Sequence, residues 1–91
     1  MKISELNWRC ETRNEEQNKI YFSTTEFGVI SVLDRLTGWG GGVRDIETGF
    51  TDLDKKFWLA SGRFDIRCHE NESIEDAIEL IKQNANTCIC V

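Results

Sequence analysis

The sequence predicts an α+β domain: an antiparallel sheet of about five to six strands, with one C-terminal α-helix packed on one face. Three observations carry this expectation. Apolar residues alternate with polar ones over several stretches of the first two thirds of the chain, the period of a half-buried strand. The glycine- and aromatic-rich stretch 38–67 places short apolar runs around turn residues. Only after residue 73 does the period change to that of a helix, so strands come first and a single helix last. The chain has 91 residues, which allows one domain, 1–91, and one modest core.

The elements follow in order. Leu6, Trp8, Cys10 and Thr12 alternate with Asn7, Arg9, Glu11 and Arg13, so 1–13 reads as a first strand. Asn14–Asn18 is a polar turn, and Ile20–Thr24 is a β-prone run. Thr25-Glu26 turns the chain back into Phe27–Leu33, apolar on both faces as in a central strand, with Gly28 marking a bulge. Gly38, Gly40, Gly41 and Gly42 surround Trp39 and end regular structure. Val43–Phe50 forms another strand, with Thr51–Asp54 as its turn.

Phe57–Ala60 and Arg63–Arg67 flank Ser61-Gly62, which reads as a two-residue hairpin link. In that register Leu59 faces Phe64. Phe57, Leu59, Phe64 and Ile66 share the inner face, while Trp58, Arg63, Asp65 and Arg67 share the outer one. Ser73 is an N-cap residue with Asp76 three positions on. Ile74, Ala77, Ile78 and Ile81 then follow helical spacing, widened by Leu80 and Ala85, over roughly 74–85. Thr87–Val91 returns as a short strand or hangs free.

Composition excludes several function classes. The net charge is −5, so the chain is not expected to bind nucleic acid directly, because neutralising phosphates requires Lys and Arg. It is suited instead to a protein partner with a basic surface. No apolar stretch approaches membrane-spanning length, and Met1–Glu5 turns polar at once without a leader-like apolar run. The expected setting is the cytoplasm, where Cys10, Cys68, Cys88 and Cys90 stay reduced.

Residues able to carry chemistry are few. His69 is the only histidine and reads as a solvated loop residue; its neighbour Cys68 points the other way if the backbone is extended. Cys88 and Cys90 are one residue apart, which is not the paired spacing of a structural zinc site. Counting from Asp52, a calcium loop would need Gly and Glu where Phe57 and Arg63 stand. Asp45 and Glu47 share a strand face that reads as solvent-facing, and the glycines near Trp39 lack the Lys-Ser/Thr of a phosphate loop. No catalytic residue, metal or cofactor is therefore expected, and the protein is not expected to be an enzyme.

A docking surface remains. Glu72, Glu75, Asp76 and Glu79 gather at the helix start and on its outer side with no Lys or Arg among them. Trp39 and Trp58 add the aromatic anchors that interfaces favour. The expected function is a non-catalytic protein-binding modulator or inhibitor acting through these six residues. In size, charge and lack of catalytic groups the profile is similar to that of small phage-encoded inhibitors of host defence or nucleic-acid-handling proteins. Two alternatives belong to other classes: a thiol- or metal-dependent module built on Cys68, His69, Cys88 and Cys90, and a structural subunit that self-associates.

Overall fold

The β-prone runs on either side of Thr25 pair as expected, and they set the frame for the rest. In the computed structural model, which describes residues 1–12, 18–37, 43–55, 57–62, 64–85 and 87–90, β2 (Asn18–Thr24) lies antiparallel to β3 (Gly28–Thr37) with Tyr21 opposite Val32. Side chains are described throughout these segments except at 36–37, 43–44, 57–62 and 87–90. β1 (Arg9–Thr12) borders β2, and β4 (Val43–Asp52) borders β3, giving an antiparallel meander with β3 inside it. On the far side of β4, the backbone of β5 (Phe57–Gly62) and then of β6 (Thr87–Cys90) continues the antiparallel pairing. The helix α1 (Ile74–Asn84) lies against β4 and β5, an α+β arrangement with one C-terminal helix.

Period-two burial selects the covered face. Ile30 and Val32 on β3 and Phe50 on β4 are buried, with Ile30 opposite Phe50. The helix supplies Ile74, Ala77, Ile78 and Ile81, and the connecting segments add Ile3, Leu6 and Ile66. Burying each large aliphatic side chain of this set stabilises the fold by roughly 1.5–3 kcal/mol relative to leaving it in water. Ser73 caps α1 as its sequence position implies: its Oγ accepts the Asp76 N–H at 3.2 Å. The helix start is held a second time by the N-terminus, where the Ile74 N–H donates to the Met1 carbonyl at 3.0 Å and Ile3 N–H to Glu72 at 3.0 Å.

The hairpin expected around Ser61-Gly62 does not form. Ser61 and Gly62 belong to β5, where Gly62 stands opposite Glu47, and Leu59 stands opposite Phe50 and Cys88 rather than Phe64. The reason is competition. With β4 on one side and β6 on the other, both edges of β5 are already paired, and a tight turn at Ser61-Gly62 would forfeit those bonds. Phe64–Arg67 instead leaves the sheet and ends in a single 3₁₀ turn, Ile66–Cys68. That departure is pinned by Thr48, fully buried, whose hydroxyl donates to the Phe64 carbonyl and accepts the Ile66 N–H at 3.2 Å. Ile66 still enters the core, by this route and not by a strand face.

Two smaller expectations are also corrected. The first strand is only Arg9–Thr12, an outer strand paired with β2 and exposed at all four positions; Ile3–Glu5 is a 3₁₀ turn that puts Ile3 and Leu6 into the core. Gly28 is not a bulge. It pairs regularly with Asp52, at φ +151°, so close to β4 that a Cβ would lie 2.1 Å from the Thr51 carbonyl oxygen. The turn before it is tied by Thr25, whose Oγ1 donates to the Gly28 carbonyl at 2.8 Å and accepts the Phe27 N–H at 3.1 Å. The expected glycine turn at Gly38–Gly42, and Trp39 within it, lie outside the described residues.

Candidate functional site

The acidic helix is where the expected site residues meet. The inner side of α1 is taken up by Ile74, Ala77, Ile78 and Ile81, which forces Glu75, Asp76 and Glu79 outward; all three are exposed, as is Glu72 before the cap. Glu75 and Asp76 occupy the first helical turn, where the positive end of the helix dipole favours carboxylates. Glu79 is countered by Lys82 one turn on, at 3.5 Å, with both side chains largely in water. Trp58 does not join this group through any described contact: its backbone stands in β5 opposite Thr51 and Ile89, and its side chain, like all of Trp39, lies outside the described residues.

The acids border an apolar groove that the sequence did not announce. Phe27, Phe50 and Ile78 form its floor, and Asp52, Glu75, Glu79 and Lys82 its mouth, enclosing about 320 Å³. Its far wall is built by the Thr25 turn and by the close approach of Gly28 to β4, which together bring Phe27 near Phe50. The Leu53 N–H bonds the Phe27 carbonyl at 3.1 Å and fixes the next turn against this wall. That turn runs on to Lys55, at φ +56°. Phe27 reads in the sequence only as part of a central strand, and Asp52 as part of a turn. The groove depends on two turns, about fifty and about twenty-five residues before the helix they meet, so no local pattern could have marked it.

A second polar cluster lies elsewhere. Arg67 makes a two-point contact with Asp65, Nε to Oδ1 at 2.9 Å and Nη2 to Oδ2 at 2.8 Å, and its guanidinium carbon sits 4.5 Å from the centroid of the Tyr21 ring. Asp34, 9 % exposed, lies 3.8 Å from the same guanidinium. Burial alone would raise the Asp65 carboxyl, but the Arg67 side-chain and backbone hydrogen bonds and its charge together outweigh burial and the nearby Asp34, and hold the carboxyl below its ordinary range. Arg67 is pushed up in turn, chiefly by its hydrogen bond to Asp65 against the cost of desolvation. Arg67 thus ties Asp65 and Asp34 together, and the cluster fastens Phe64–Arg67 to the sheet. Asp65 and Arg67, expected on a solvent-facing strand, are thus part of a clamp.

The remaining chemical candidates are dispersed. The His69 ring is half-buried, its centroid 5.4 Å from that of Phe64, and so is not the solvated loop residue expected. Asp45 is engaged by Arg35 across the β3–β4 pair at 2.9 Å, and Glu47 is half-buried beside Leu33 in register. Cys10 and Cys68 are free and exposed, while Cys88 and Cys90 are described as backbone only. Among the described residues, no group of three or more His, Cys, Asp and Glu is arranged to hold a metal, and no helix is long and apolar enough to cross a membrane. No family model matches the chain, and neither a curated protein nor a solved structure matches it.

Proposed function

We propose that the chain is a non-catalytic protein-binding module that modulates or inhibits a partner by occupying a basic surface, in the cytoplasm. One observation carries the reading: Glu72, Glu75, Asp76 and Glu79 are exposed together, at and beyond the capped start of a helix whose other side is fully used by the core. The helix dipole accounts for Glu75 and Asp76 in the first turn, but not for Glu72 before the cap or Glu79 a turn further on. Glu75 and Glu79, one turn apart, mildly repel each other, and a partner's Lys or Arg relieves that repulsion. A basic surface of this kind is found on proteins that handle nucleic acid, so the role resembles that of a mimic or blocker used by phages and mobile elements against host defence. The reading takes the sheet at its full five to six strands, as a stiff platform behind the helix. Trp39 and Trp58 belong to it as aromatic anchors.

The test is kinetic. Reversing both Glu75 and Glu79 to Lys leaves the fold intact, since neither side chain is in the core. Association with a basic partner captured from the source cells then slows by about tenfold or more at low salt, and the difference shrinks as salt screens the steering. Equal low-salt association rates for the two forms would mean that the acidic side of α1 is only a solvated face.

A further inference from the structure

We propose that the groove between α1 and the Thr25–Gly28 turn receives a single arginine side chain of the partner. This rests on the binding reading above and makes its contact specific. The floor is apolar and aromatic: Phe50 is 3 % and Ile78 7 % exposed, with half-buried Phe27 beside them. Among the described residues the mouth is lined by Asp52, Glu75 and Glu79 with Lys82, whose ammonium lies 3.5 Å from Glu79, and the helix carboxylates Glu75 and Glu79 give its rim a negative side. An apolar floor under a negative rim matches an occupant with an apolar stem and a positive head. A volume of about 320 Å³, at the lower end of the ~300–1,000 Å³ range of small-molecule pockets, leaves room for one long side chain.

Arginine fits better than lysine. Its methylene stem lies along Phe50 and Ile78, as long cationic side chains do on apolar surface. Its planar guanidinium bridges Glu75 and Glu79 on successive turns, taking Glu79 over from the exposed Lys82 ammonium 3.5 Å away. It also stacks on an aromatic ring and is less strongly hydrated than an ammonium, so Phe27 favours it further. The occupant does not have to shape the site: the Thr25 hydroxyl network and the Gly28–Thr51 approach hold the wall in place beforehand.

The experiment follows backbone and side-chain NMR signals of the full chain during titration with N-acetyl-arginine methylamide, its citrulline isostere and the lysine analogue. Arginine is expected to move the signals of Phe27, Glu75, Ile78 and Glu79 saturably, with citrulline at least about tenfold weaker because a charge-assisted pair is lost. Phe27→Ala and the charge-neutral pair Glu75→Gln/Glu79→Gln should each weaken arginine several-fold, their spectra otherwise reporting an unchanged fold. If Phe27→Ala disturbs the turn, the Gln pair, which alters no packing, decides alone. Arginine and citrulline binding equally, or arginine shifting Glu72 and Asp76 as much as the groove residues and regardless of Phe27, would overturn the proposal. In the second case the lysine-reversal kinetics still slow, so the acidic surface survives while the groove falls. Loss of both effects removes the binding reading itself.

Discussion

Position 28 admits only glycine, for two reasons that act together. At φ +151° it has the backbone freedom that an L side chain lacks, and it stands so near β4 that Thr51, Asp52 and Phe50 all lie within 3.0 Å of where a Cβ would be. Neither of the two nearest atoms belongs to a flexible side chain, so the clash cannot be relieved locally. Gly28→Ala should therefore lower stability by ~2–4 kcal/mol, combining backbone strain with overpacking. The urea midpoint measures it, and an unchanged midpoint would show that the close approach is not needed. Gly28 was legible in the sequence as special, since an isolated glycine in a strand pattern is a signal. Its reason was not legible, because the atom it avoids is on another strand. Thr48 is the opposite case: nothing in its surroundings in the sequence marks it, yet its hydroxyl serves two backbone groups of a segment sixteen to eighteen residues later.

Among the elements, α1 was readable almost to its last residue, because every cue that defines it is local. The cap, the early acids and the apolar stripe lie within one stretch, and helical hydrogen bonds close over four residues. Ser73→Ala should cost ~1 kcal/mol by leaving the Asp76 N–H without its 3.2 Å acceptor. Thermal or urea denaturation of the single variant checks this, and no loss would mean that the bonds from the N-terminal segment alone fix the helix start. The stretch 57–67 failed for the converse reason. Ser61-Gly62 satisfies a local hairpin rule, and the alternation around it segregates polar from apolar residues convincingly. What decides a strand is the partner at its edge, and β5 finds β4 and β6 there. The local alternation places Arg67 in solvent, whereas the fold makes it the centre of a clamp.

At the scale of the molecule, that clamp and the acidic surface are two uses of charge with different consequences. Asp65, Arg67, Asp34 and Tyr21 join the connecting segment to β2 and β3. The Asp65 carboxyl is held below its ordinary value of 3.8, so the folded state favours its ionised form more than the unfolded chain does. Its contribution to stability is therefore fully present above the unfolded value, and it is lost as pH falls through the lower folded value. Asp65→Asn should be less stable than the parent at neutral pH, with the difference narrowing below about pH 4 as the parent loses its ion pair. Urea midpoints across the acid range test this; a difference that stays constant would mean the carboxylate's charge is irrelevant to the clamp. Glu72, Glu75, Asp76 and Glu79 are exposed instead, so solvent screening keeps the contribution of their charges to stability small.

Sequence alone determined the class of the fold, the helix with its cap and buried stripe, the outward placement of Glu72, Glu75, Asp76 and Glu79, and the pairing of the runs around Thr25. All of these follow from periodicity and from contacts between near neighbours in the chain. Tertiary structure alone decided which strands lie beside β5, where Phe64–Arg67 goes after leaving the sheet, why position 28 must be glycine, and that Phe27, Phe50 and Ile78 meet beneath the helix acids. Each of those depends on groups distant in sequence competing for the same edge, hydroxyl or space. A pattern of residue types records a preference for burial or for water, but it does not record the partner with which that preference is satisfied.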